Sequence, residues 1–302
     1  MKNALSYYYN LNPTEIHQIN KNYRCYIGKD EYLFTIYNKS EQELTEIYEL
    51  NILLLNRKIP CHQIILNNQQ KIITLINGIS YVLLKINIKK RIIDINDILL
   101  FSNLKVEPNK FRRLNKNNWY QMWTDKVDYF EYQITQFGKK YPLIRESSNY
   151  YIGLSENAIS LLNDIKTTPT QHLVVSHNRI RKNDTTIEFY NPLNFIVDNR
   201  IRDFSEYVKE KVIYGSYSVN QFNHDSYQLQ IVDKENILLF SRLLFPTYYF
   251  DCCEKIFGGN LDEKEIIKLI NINNSYFDII NGIYWILIQR GLMIEIEWII
   301  KK

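Results

Sequence analysis

The chain reads as an α+β molecule of two lobes, a small antiparallel sheet carrying one helix and then a larger, mainly helical body. Three observations predict this. Short apolar runs broken by turn residues fill residues 1–87. Apolar and aromatic residues recur at helical spacing through most of residues 88–302. The change of period falls at Asn87 to Arg91, which would connect the lobes inside a single domain.

Tyr23 to Ile27 and Tyr32 to Tyr37 flank Gly28-Lys29-Asp30, which predicts a hairpin. From Ser40 to Asn56, Leu44, Ile47, Tyr48, Asn51, Ile52 and Leu55 repeat at helical spacing behind a serine cap with acidic residues in the first turn. The strand pattern resumes after Pro60 as His62 to Leu66, Lys71 to Ile76 and Ile79 to Ile86. Asn68-Gln69-Gln70 and Asn77-Gly78 separate these runs. Asn-Gly between apolar runs is a strong hairpin signal, because both central residues of a type I′ turn need positive φ.

Beyond the connection, Trp119, Met122, Trp123, Lys126, Val127, Phe130 and Ile134 form one helical stripe. Leu154, Ala158, Ile159, Leu161, Leu162 and Ile165 form another. Further helices are expected at Phe204 to Val212, Asn236 to Leu244, Tyr248 to Phe257, Glu263 to Ile270 and Tyr276 to Gln289, with an extended interruption over residues 172–200. A sheet lobe with one helix, a short connection and a helical lobe is the architecture of kinase-like folds.

Bulk properties exclude several classes of function. With 302 residues, 45% of them apolar, the chain can bury a full core. A net charge of +4 is small for this length, so nucleic acid is not the expected partner. The basic stretches Lys89-Lys90-Arg91 and Lys110-Phe111-Arg112-Arg113 read as solvated surface. Cys25, Cys61, Cys252 and Cys253 form no metal-binding spacing and read as reduced. The apolar tail from Ile279 to Ile300 is broken by charge, so no membrane partner is expected and the cytoplasm is the expected compartment.

The segment that should carry chemistry is an apolar run and polar loop from His172 to Asp184, followed by Tyr190 to Asp198. It resembles the catalytic segment of the aminoglycoside phosphotransferase and choline kinase families, which reads His-Gly-Asp, then an Asn, then an Asp ending an apolar strand. In those families one Asp accepts or orients the attacking hydroxyl, while the Asn and second Asp hold the magnesium that bridges the phosphates. By this resemblance His177 falls on the family His, Arg179 on the catalytic Asp, Asp184 on the Asn and Asp198 on the metal-binding Asp. A guanidinium stays protonated, so Arg179 cannot accept a proton and would repel a metal. The loop of His177 and Arg179 is therefore expected to be degenerate and without a catalytic residue. Asp184 and Asp198 remain as the candidate remnant site for nucleotide and magnesium. His177 would serve as a buried histidine bonded to backbone.

A second loss lies in the small lobe. The strand that should present a phosphate-pairing Lys reads Tyr32 to Tyr37, with Thr35 or Ile36 at the place of the Lys. Glu43, Glu46 and Glu49 on the following helix read as surface, and Gly28 stands alone where a glycine-rich loop is expected.

Several phrases are similar to the spore coat proteins of the CotS and YutH type, within this same phosphotransferase superfamily. They are Trp119 to Gln133, Tyr150 to Ala158, His177 to Arg179, Tyr190 to Asn194, Arg202-Asp203 and Arg242 to Phe250. The resemblance implies a catalytically degenerate kinase-like protein, a pseudokinase acting as a binding or assembly module, with coat or assembly proteins as partners and the cytoplasm or the spore coat as its place. No cofactor is then required. The alternative left open is an atypical small-molecule phosphotransferase using ATP and magnesium, with Asp184 or Asp198 as base and Lys182, Arg179 or Arg181 as phosphate clamp. A third reading is a helical scaffold that docks through tyrosines such as Tyr7-Tyr8-Tyr9 and Tyr248-Tyr249, for which burial in the core is the simpler account.

Overall fold

The computed structural model describes residues 1–107, 109–163, 173–181, 183–292 and 296. His172, Lys182 and the helical position expected at Ile165 lie outside the described residues.

The small lobe is an antiparallel sheet between two helices. Its strands are β1 (Glu15–Ile19), β2 (Asn22–Ile27), β3 (Asp30–Ile36), β4 (Gln63–Ile65), β5 (Thr74–Ile76) and β6 (Ile79–Ile86), in the order β1-β2-β3-β6-β4 with β5 also on β6. Alternation along the strands sorts their side chains onto two faces. Tyr32 and Phe34 of β3 and Tyr81 and Leu83 of β6 point outward, where α1 (Lys2–Tyr9) covers them with Leu5 and Tyr9. Val82 and Leu84 point inward against Leu44, Ile47, Leu50 and Leu54 of α2 (Glu41–Asn56), each contributing about 1.5–3 kcal/mol by burial. Ser40 caps α2 as expected, its side chain accepting from Glu43 N. Asn77 and Gly78 both have positive φ, 50° and 77°, the geometry a type I′ turn demands. The outer helix α1 was not announced by the sequence.

The large lobe is built from α3 (Ile95–Ser102), α4 (Trp119–Phe137), α5 (Pro142–Asn163), the hairpin β7 (Leu173–His177) and β8 (Phe195–Asn199) enclosing α6 (Thr186–Phe189), and then α7 (Ile201–Ile213), α8 (Val219–Gln228), α9 (Asp233–Leu244), α10 (Thr247–Phe257) and α11 (Glu265–Gln289). Every side chain of the hairpin is buried. The loop between α3 and α4 runs against it, with Lys105 bridged to Val174 and Asn115 to Val197. Phe111 in this loop is fully buried, whereas its basic neighbours Lys110, Arg112 and Arg113 are exposed. Glu263–Ile270 and Tyr276–Gln289, read as two helices, join into the single helix α11. Of the tyrosine runs, Tyr9 and Tyr249 belong to the core while Tyr7 is exposed.

The lobes are joined by more than the connection. His62 N donates to Tyr190 O at 3.0 Å, and its Nε2 donates to Ile187 O at 3.1 Å. Thr186 N donates to Arg91 O at 2.9 Å and its hydroxyl to Lys89 O at 2.7 Å. Glu46 accepts from Arg113 N and Leu114 N, at 3.0 and 3.3 Å.

Candidate functional site

β7 delivers His177 into the interior with 1% exposure, stacked on Phe189 at 3.9 Å. Its Nδ1 faces Asp203 Oδ2 at 2.7 Å and its Nε2 faces the Phe189 carbonyl at 2.8 Å. Both ring nitrogens thus face oxygen acceptors, one a carboxylate and one a backbone carbonyl. The Asp203 carboxylate also accepts from His177 N at 3.0 Å. His177 is thus buried and faces both a backbone carbonyl and the Asp203 carboxylate.

Arg179 emerges at the loop beyond β7, about a third exposed, and pairs with Asp251 of α10 at 2.9 Å. Asp184 is half-buried and accepts from Arg181 N at 2.8 Å; burial pushes its carboxyl above the ordinary range. Asp198 ends β8 with no exposure at all. Trp119 Nε1 donates to both of its oxygens, at 2.9 and 3.1 Å, Asn199 N donates at 2.7 Å and Arg202 Nη1 at 2.5 Å. A carboxylate offers about four acceptor sites, so this one is filled. Asp184 and Asp198 have no hydrogen-bond partner in common, and among the described residues no three His, Cys, Asp or Glu side chains gather as a metal site.

Behind Asp198 lies a buried charge cluster that sequence reasoning missed. On α7, Arg202, Glu206 and Lys209 follow at helical spacing and are nearly inaccessible. Arg202 also donates to the His177 and Asn178 carbonyls. Glu206 accepts from Arg242 Nε of α9 at 3.0 Å and lies 3.6 Å from Lys209 Nζ. Burial opposes its charge, yet Lys209 and Arg242 hold it down at about 2. Burial lowers Lys209 to about 8 and Arg242 to about 10. Arg242 packs over Trp119, its guanidinium carbon 4.5 Å from the ring centre. The only signal available in the sequence was the alternation of charge along α7, which ordinarily marks a solvated face.

In front of the cluster is a cavity of about 260 Å³ on the large lobe. Trp123, stacked between Trp119 and Phe245 at 5.7 and 4.3 Å, forms part of its wall. Arg179, Arg242 and Asp251 also line it.

On the small-lobe side, Thr35 shares a face with Val82, opposite in register on β6. Its hydroxyl donates to Asn22 Oδ1 at 3.0 Å. Ile36 packs instead on the outer face, so Thr35 holds the inward place of the two. β1 and β2 meet in a tight turn at Asn20-Lys21, with Ile19 opposite Asn22 and no glycine between them. Glu46 of α2, read as surface, instead holds the backbone of the α3–α4 loop.

A family model described as "Spore coat putative kinase YutH" matches residues 2–273. The endospore coat-associated protein YutH of Bacillus subtilis (strain 168) is 24% identical over 293 residues, covering 89% of this chain and 86% of that protein. Among solved structures, an aminoglycoside phosphotransferase from Alicyclobacillus acidocaldarius superposes with a TM-score of 0.71 at 8% identity, over 93% of this chain and 94% of that one. The AMP-bound spectinomycin phosphotransferase APH(9)-Ia gives 0.63 at 12% identity, over 94% and 96%. The amicoumacin kinase hAmiN gives 0.58 at 11%, over 92% of each chain. At such identities the likeness is one of fold, and the fold is the two-lobed, kinase-like one.

Proposed function

The chain belongs to the YutH family of spore coat kinase-like proteins, and from that premise we propose that it is a catalytically degenerate kinase fold acting as a binding or assembly module of the coat. One observation carries the reading: Asp198, at the place of the metal-binding carboxylate, is buried and filled by Trp119, Asn199 and Arg202. Magnesium needs open oxygen ligands, and a guanidinium already occupies this one. Arg179 in place of a proton acceptor, Thr35 in place of the phosphate-pairing Lys and the tight Asn20-Lys21 turn all support it. Its partners are then other coat or assembly proteins. No helix among the described residues is long and apolar enough to cross a membrane.

Isothermal titration with magnesium-ATP and magnesium-ADP tests the reading, and no saturable heat is expected from either. Micromolar binding together with turnover would overturn it. The competing reading, an atypical small-molecule phosphotransferase, would use Asp184, the less enclosed carboxylate, as its base. It requires phosphoryl transfer that disappears in Asp184→Asn.

A further inference from the structure

The cavity beside Arg179 has a chemistry of its own. Arg242 is 3% exposed and lines it, yet only its Nε is used, on Glu206. Among the described residues nothing accepts from Nη1 or Nη2 of Arg242. Nη1 and Nη2 are not sealed in the interior but open to the cavity, and a guanidinium held flat on an indole presents there a fork suited to a planar carboxylate. The charges around it do not cancel. Arg179, Arg202, Lys209 and Arg242 face Asp198, Glu206 and Asp251, which leaves one positive charge over. Lys126 is matched at the rim by Glu254, and Asp203 is spent on His177 and does not line the cavity. A cationic ligand would be repelled here, and a monoanion would bring the balance to zero. Trp123, Phe245 and Phe250 give the cavity an apolar wall, and Asn178 and Thr247 also line it. At about 260 Å³ the space lies just below the range of drug-sized pockets.

We infer that this cavity binds a small monoanionic carboxylate carried on a planar apolar body, with Arg242 and Arg179 gripping the carboxylate and Trp123 and Phe245 flanking the body. This names a ligand class for the binding module proposed above and rests on that reading for its role. The binding chemistry stands on the cavity alone.

Benzoate is the probe and benzamide, its neutral isostere, the control, followed by calorimetry and by thermal unfolding of the full chain. Benzoate at saturation should raise Tm by a few degrees, and benzamide should not. Arg179→Gln, at a half-exposed position, should keep the ligand-free Tm and weaken benzoate about tenfold. Arg242→Lys keeps the charge opposite Glu206 but loses the fork, and should weaken benzoate at least as much. Equal responses to benzoate and benzamide, or benzoate binding untouched by Arg179→Gln, would overturn the inference. Phenyl phosphate or inorganic phosphate binding tighter than benzoate would overturn the monoanion assignment. Benzoate binding alongside magnesium-ATP turnover would sink the non-catalytic reading alone, and silence toward both ligands would sink the carboxylate site alone.

Discussion

Truncating Arg202 would strand a carboxylate in the interior. Asp198 would keep its indole and amide donors but lose the one cation that touches it, so Arg202→Ala is expected to cost about 3–5 kcal/mol, read as a lower urea midpoint. Arg179→Ala, which breaks only a half-exposed pair, should stay within about 1 kcal/mol. Restoring the acid by Arg179→Asp should leave phosphoryl transfer at background, because Asp198 stays filled and Thr35 offers no charge. Glu206 gives the cluster a pH signature. Its folded value of about 2 lies below its ordinary 4.5, so its contribution is complete above pH 4.5 and is lost as pH falls toward 2. Lys209 runs the other way on the alkaline side, costing stability below pH 8 and ceasing to do so as pH rises toward 10.5. Acid unfolding curves of Glu206→Gln should lack the first of these slopes. Arg179 and Asp198 could be singled out in the sequence because a resemblance to a motif points to their positions. Trp119, Lys209 and Arg242 were not legible as a site, because the cluster is drawn from α4, α7, α9 and strand β8, which only the tertiary fold brings together.

Helices with a clear apolar stripe were legible, and the burial of polar side chains on a helix was not. The stripe from Trp119 places α4, and Ser40 places the start of α2. The span of α7 was legible from Phe204 to Val212, but the burial of its Arg202, Asp203, Glu206 and Lys209 was not, since their charges pair inside the lobe instead of with water. α8 buries Phe222, Asp225 and Ser226 and offered no period to read. α3 is short, fixed by the Asp94–Asp97 capping box and the two-point contact of Arg91 with Asp97. The break predicted within α11 came from its polar middle around Asn273 and Asn274, where the helix runs on regardless. One packing contact is testable at this scale. α11 meets α8 closely, and a Cβ at Gly282 would lie 2.5 Å from Val219 Cγ2. Gly282→Ala should therefore lose about 1–3 kcal/mol despite its better helix propensity, and Val219→Ala in the same chain should recover part of it.

At the scale of the molecule the seam between the lobes is the feature with the widest consequence. Burial lowers His62 to about 4 and keeps the ring neutral, with Nδ1 accepting from Asn87 N at 3.3 Å while Nε2 donates across to Ile187. The unfolded chain takes up this proton near pH 6.5, so stability is constant above that value and falls as pH drops toward 4. His62→Gln should remove that part of the decline, measured as Tm against pH. Two lobes around one cleft were legible from the change of period near Asn87, but the seam was not, because His62, Thr186 and Glu46 each meet a partner far away in the chain. The small lobe is held to the large one by His62 on Ile187 and Tyr190 and by Glu46 on Arg113 and Leu114, so a push on one lobe is carried to the other through these bonds.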